Sequence, residues 1–154
     1  MDGAAEAPSA GDGAMLYTGI DIVEIERIER AIQRWGERFL QRVFTTTELR
    51  DAGGRPRSLA ARWAAKEAAA KALGVGLSGP GAAAAVGAGV ALRWHEIEVR
   101  RPAGQPPQLL LHGAAARRAA ALGWRVVALS LSHGRQFAVA LVVAQAADQG
   151  GQHG

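Results

Sequence analysis

Arg62-Trp63-Ala64-Ala65-Lys66-Glu67-Ala68-Ala69-Ala70-Lys71-Ala72-Leu73-Gly74 is the stretch whose reading decides this fold. Its alanines favour a helix, and Gly74 stands where a left-handed C-cap belongs. It also holds the only two lysines of the 154-residue chain, whose 18 Lys plus Arg are otherwise all arginine. Lysine at two positions of one helix, in a chain that uses arginine everywhere else, points to a need for an ammonium. A compact charge on a flexible stem suits a phosphate oxygen. At helical spacing Glu67 and Lys71 share a face with Trp63, while Arg62 and Lys66 share a neighbouring one. Several cations around one carboxylate suit a metal-chelated polyphosphate; a solvated charged face gives the same spacing.

Ser58 is placed to cap this helix, which spans Leu59 to Leu73, behind a loop from Asp51 to Arg57 that contains Gly53, Gly54 and Pro56. Upstream, Thr45 with Glu48 three residues on has the form of a capping box and starts another helix. Further upstream, Leu16 to Ile20 reads as a strand, with Asp21 as a helix N-cap before a stripe of Ile22, Ile25, Ile28 and Ile32. Arg27, Arg30 and Arg34 form a basic stripe on another face of that helix.

Downstream, residues 78–91 read as a Gly/Ala-rich loop. Trp94 to Arg100 and Gln108 to His112 read as strands about a turn at Pro102–Pro107, and Ala114 to Leu122 as a short helix. Val126–Ser132 and Phe137–Val143 alternate and are joined as a hairpin through His133-Gly134-Arg135-Gln136. An N-terminal strand and helices followed by a mainly antiparallel sheet is an α+β arrangement. We expect one domain at 15–145 between disordered tails at 1–14 and 146–154.

The chain has no Cys, which excludes disulfides and thiolate chemistry and accords with a reducing, cytoplasmic setting. No signal peptide or membrane-spanning run is legible. The formal charge is +4, but the anions Asp2, Glu6, Asp12 and Asp148 all lie in the expected tails, leaving 18 cations against 10 anions, +8, for the domain. Such a surface attracts anionic partners of any class.

Asp21, at a strand-to-helix junction, and Glu67 are candidate ligands for a hard metal such as Mg²⁺, which takes oxygen donors and keeps phosphate and water around it. Read locally, they are a helix cap and half of an i,i+4 ion pair with Lys71. His133, at a hairpin tip, can reach a ligand, while His95 and His112 lie in strands at no metal-ligand spacing. Ser130 and Ser132 lack a nucleophile elbow, which disfavours a serine hydrolase.

Gly19-Ile20-Asp21-Ile22-Val23-Glu24-Ile25-Glu26-Arg27-Ile28, Arg38-Phe39-Leu40, Phe44-Thr45, Glu48-Leu49, Ala60 to Leu77 and Ala128-Leu129-Ser130-Leu131-Ser132-His133 together resemble the holo-acyl-carrier-protein synthases, over about 125 residues. The resemblance departs where Tyr17 replaces a glycine and Trp63 a phenylalanine. It implies the 4′-phosphopantetheinyl transferase fold, assembled as a homotrimer, and transfer of 4′-phosphopantetheine from coenzyme A to a serine of apo acyl carrier protein, releasing adenosine 3′,5′-bisphosphate. The pathway implied is fatty-acid synthesis. By the same resemblance Asp21 and Glu67 hold Mg²⁺ and Lys71 meets the phosphates, these three being the catalytic set. Arg62, Lys71, Gly74 and His133 bind coenzyme A. Arg27, with Arg30, Arg34 and Arg38, meets the acidic carrier protein. The base that takes the serine proton is either Glu67 or a metal-bound water. Two other readings stand beside this: the same chemistry on polyketide or peptide-synthase carrier domains, and a basic RNA-binding module, for which stacking aromatics are too few.

Overall fold

A single helix lies along one face of a three-stranded sheet and is buried around nearly its whole circumference. The computed structural model describes residues 14–77 and 91–147. The chain runs β1 (Leu16–Glu24), α1 (Ile25–Trp35), α2 (Glu37–Val43), α3 (Thr46–Ala52), α4 (Pro56–Leu73), β2 (Gly76–Leu77), β3 (Ala91–Leu92), a 3₁₀ turn at Trp94–Glu96, β4 (Ile97–Arg100), β5 (Gln108–Leu111), α5 (Gly113–Ala121), β6 (Trp124–His133) and β7 (Phe137–Ala146). The main sheet has the order β1-β7-β6, antiparallel throughout; β4-β5 is an antiparallel pair and β2-β3 a two-residue parallel one.

Alanine is what lets α4 lie so close. Ala60, Ala64, Ala65, Ala68 and Ala69 are all fully buried, and methyl-sized side chains allow backbones to approach without voids. At the tightest point a Cβ on Gly19 would lie 1.8 Å from the Ala68 carbonyl oxygen, so only glycine passes there. Gly74 ends the helix in the left-handed region, φ 69°, as expected. Tyr17, which stands where a glycine was expected, instead packs against Trp124, ring centroids 5.9 Å apart.

Three local expectations are corrected. Asp21 is no helix cap: β1 continues to Glu24 because β7 pairs with it over all nine residues, from Leu16↔Gln145 to Glu24↔Phe137. Ile22 therefore points away from the core, and the helical stripe starts at Ile25, whose N–H donates to the Gln136 carbonyl at 2.8 Å. Pro56, at the first position of α4, starts that helix ahead of Ser58, so the loop shrinks to residues 53–55. The strand expected from Trp94 begins with a 3₁₀ turn, so only Ile97–Arg100 is extended, and His112 closes β5 as the N-cap of α5.

Helix α2 was not foreseen. It arises because Gly36, φ 53°, breaks what would be one long helix. The capping box at Thr45 and Glu48 is present as read, and so is the β6–β7 hairpin. Ala146 is a buried residue of β7, one residue past the expected end of the domain. Ala91, placed at the end of the expected 78–91 loop, belongs to β3, and Ala147 of the expected tail donates its N–H to the Gly123 carbonyl at 2.9 Å; apart from these, Ala146 and Ala14, the loop and both tails lie outside the described residues.

Candidate active site

Alternation along β1 turns Tyr17, Gly19, Asp21 and Val23 toward α4. Asp21 meets the last turns of the helix. Lys71 Nζ lies 3.0 Å from Asp21 Oδ1 and also donates to the Ile20 carbonyl at 2.9 Å. Lys71 thus reaches across to the strand rather than back to Glu67, so the i,i+4 pair read from the sequence gives way to a tertiary one.

Glu67, one turn before Lys71, is 7% exposed. Burial and the neighbouring Asp21 charge push its carboxyl up to about 7, against the pull of Lys71 and Arg27. Asp21 is likewise raised by burial, opposed by its hydrogen bond and charge pairing with Lys71 and by the Arg27 charge. The arrangement is two close, partly desolvated carboxylates with one ammonium and one guanidinium around them. Arg27, from α1, sits 5.9 Å from the Trp63 ring centroid, and Trp63 in turn packs on Phe39 and Trp94.

Lys66 is not part of this site. It is 0% exposed, paired to Glu48 Oε2 at 2.8 Å, and donates to the Trp94 carbonyl at 3.0 Å. Its place on the next face of the helix turns it into the core, away from any phosphate. Arg62, on the same side, is also buried. Its Nη1 donates to the Ser58 carbonyl at 3.2 Å and to the Ser58 hydroxyl, and its Nε has no hydrogen-bond partner. It lines a 420 Å³ cleft with Arg55 and Arg101, two cations the sequence did not single out.

Gly74 lies at the C-terminus of α4, where Arg118 Nε donates to the Leu73 carbonyl at 3.0 Å. The Arg117-Arg118 doublet on an otherwise alanine helix was the available sign of that contact. His133 is exposed at the end of β6, in the row Val23–Ala138–His133, with β7 between it and β1. Two strand spacings of ~4.8 Å separate the β6 and β1 backbones, so one chain does not bring His133 onto Asp21.

Arg27, Arg30 and Arg34 line a 600 Å³ groove floored by Phe39, Trp63 and Phe137. Arg38, beyond the Gly36 break, lines an adjoining 240 Å³ groove with Trp35 and Trp94. On the face of the sheet opposite α4, the register places Leu16, Ile20, Ile22, Val126, Phe137 and Leu141 together, all exposed, with Ile20 at 61% and Ile22 at 64%. Contiguous apolar surface of this kind marks an interaction face.

The class of the chain is the 4′-phosphopantetheinyl transferase superfamily, whose family model matches residues 17–142. The chain belongs to that superfamily and is an enzyme of its holo-[acyl-carrier-protein] synthase type. A holo-[acyl-carrier-protein] synthase of Herpetosiphon aurantiacus is 53% identical over 129 residues, 84% of this chain and 98% of the relative. One from Chloroflexus aurantiacus is 54% identical over 137 residues, 86% and 99% of the two chains. Among solved structures, the Helicobacter pylori holo-[acyl-carrier-protein] synthase in complex with coenzyme A superposes with a TM-score of 0.67 at 30% identity, covering 82% of this chain and 98% of that one.

Proposed function

We propose that this chain transfers 4′-phosphopantetheine from coenzyme A to a serine hydroxyl of apo acyl carrier protein in a Mg²⁺-dependent reaction, with fatty-acid synthesis as the pathway served and the cytoplasm as its location. The observation that carries this reading is the Asp21–Lys71–Glu67 cluster: two carboxylates and an ammonium converging between β1 and α4. The two carboxylates fit a hard dication, since both offer oxygen and both are partly desolvated. Among the described residues no third His, Cys, Asp or Glu completes a metal cage, which suits an ion that keeps phosphate oxygens and water. Bound there, Mg²⁺ would draw negative charge from the pyrophosphate of coenzyme A.

The serine oxygen attacks the β-phosphorus, the bond from that phosphorus to the oxygen bridging it to the α-phosphorus breaks, and adenosine 3′,5′-bisphosphate leaves. The serine proton must go to a base as that bond forms. Glu67, raised to about 7, is poised to hold it, directly or across one water. Lys71 faces the leaving phosphate and offsets its charge. Arg62, with Arg55 and Arg101 beside it, offers a cationic cleft to the nucleotide end of coenzyme A. Gly74, exposed at the helix end beside the Arg118 guanidinium, lets a ligand approach the backbone.

The arginine-rimmed groove of Arg27, Arg30 and Arg34 over an apolar floor suits an acidic amphipathic helix of the carrier, with Arg38 at its margin. The exposed outer face of the sheet supports a homotrimer, which would also let His133 serve coenzyme A at a neighbour's site. No helix of the described residues is long and apolar enough to cross a membrane, and the carrier reaction needs none.

Intact-mass spectrometry of apo acyl carrier protein, incubated with this enzyme, coenzyme A and Mg²⁺, tests the reading. The expected result is a phosphopantetheine mass gain, abolished by EDTA and reduced at least about 100-fold in rate by Glu67→Gln. A gain that persists with EDTA or in the variant overturns the assigned roles. A gain only on polyketide or peptide-synthase carriers reassigns the client.

A further inference from the structure

Lys71 and a divalent ion compete for the same carboxylate. Its Nζ sits 3.0 Å from Asp21 Oδ1 and is steadied by a second hydrogen bond to the Ile20 carbonyl at 2.9 Å. A metal held by Asp21 would bring a +2 charge against the same carboxylate. In a partly desolvated site a +1 ammonium left at contact distance from such an ion is strongly repelled. Even on the second oxygen, Oδ2, the ion would stand close to the ammonium, so its arrival favours departure of the ammonium from Asp21. Its side chain is 49% exposed and can swing, but it needs an anion to receive it. Glu67 is the other carboxylate of the cluster and is itself called on by the ion. No further acidic group among the described residues joins the two. The receiving anion is then supplied by the substrate.

Resting on the function proposed above, we infer that Lys71 gates the metal: it holds Asp21 against a free divalent ion and yields it when a diphosphate oxygen takes the ammonium. Metal and coenzyme A then bind with positive coupling, and by linkage each raises the affinity of the other by the same factor. The enzyme thereby selects the metal–diphosphate complex over either component.

The test uses Mn²⁺ as the probe, titrated by electron paramagnetic resonance into the full-length protein with and without coenzyme A, after correction for Mn²⁺ held by free coenzyme A. Lys71→Met should bind Mn²⁺ alone about tenfold more tightly than wild type while transferring phosphopantetheine far more slowly. The enhancement of Mn²⁺ affinity by coenzyme A should shrink by a similar factor. Lys71→Gln should behave likewise, and Asp21→Asn added to either variant should remove the gain. Circular dichroism confirms that each variant is folded. Equal or weaker Mn²⁺ binding by both lysine variants overturns the gate, even where wild type transfers phosphopantetheine normally. If wild type shows neither transfer nor any enhancement by coenzyme A, the proposed function falls, and the gate with it.

Discussion

Lys66 and Lys71 stand five residues apart on one helix and end in opposite situations. Lys66 is sealed in the core, its ammonium shared between Glu48 and the Trp94 carbonyl and 5.7 Å from the Phe44 ring centroid. Glu48 is in turn fully used, accepting from Thr45 N at 2.8 Å and from Val99 N at 2.8 Å. Lys71 is half-exposed and holds Asp21, the carboxylate proposed to take the metal. The difference shows how one residue type serves two ends: a buried pair with every partner satisfied locks α3, α4 and β4 together, and an open pair remains available to be broken.

Removing each ammonium separates the two. Lys66→Met strands the Glu48 charge in the core and should cost about 3–5 kcal/mol, read as a large drop in the midpoint of urea unfolding. Lys71→Met removes a half-exposed pair worth about 0–1 kcal/mol, so its unfolding midpoint should stay near wild type. Similar midpoints for the two variants would break the contrast.

The active-site side should also show in the pH dependence of stability. Glu67 has a folded pKa raised from 4.5 to about 7, so its contribution to stability is fully present below pH 4.5 and is lost as pH rises through about 7. Glu67→Gln should therefore gain on wild type in thermal stability between pH 5 and 8. A difference that stays flat across that range would mean Glu67 is not desolvated. The smallest expected effect lies outside both lysine environments: Arg27→Glu should raise the carrier-protein KM about tenfold and leave the coenzyme A KM within about twofold. Equal changes in both would shift Arg27 from docking to the site it overlooks.

How much was legible follows from how local each signal is. The Thr45–Glu48 capping box and the Gly74 stop were readable because partners three residues apart, or a single φ, decide them. Asp21 was misread because its place ahead of an isoleucine stripe is a local signal, whereas its strand state is imposed by β7, more than a hundred residues away. Asp21, Glu67 and Lys71 could each be picked out as candidates, but their meeting could not, since it depends on Gly19 letting β1 reach α4. Lys66 was drawn toward phosphate for the converse reason. A helical wheel shows which face it shares, but not that Glu48, already read as a capping residue, also waits there in the core.

Two tryptophans packed in a tilted pair offer a means of observation. Trp63, from α4, and Trp94, whose carbonyl binds Lys66, have ring centroids 4.2 Å apart. At that separation their electronic transitions couple, so the pair forms an intrinsic optical gauge whose near-ultraviolet circular dichroism registers any displacement of α4 without a label.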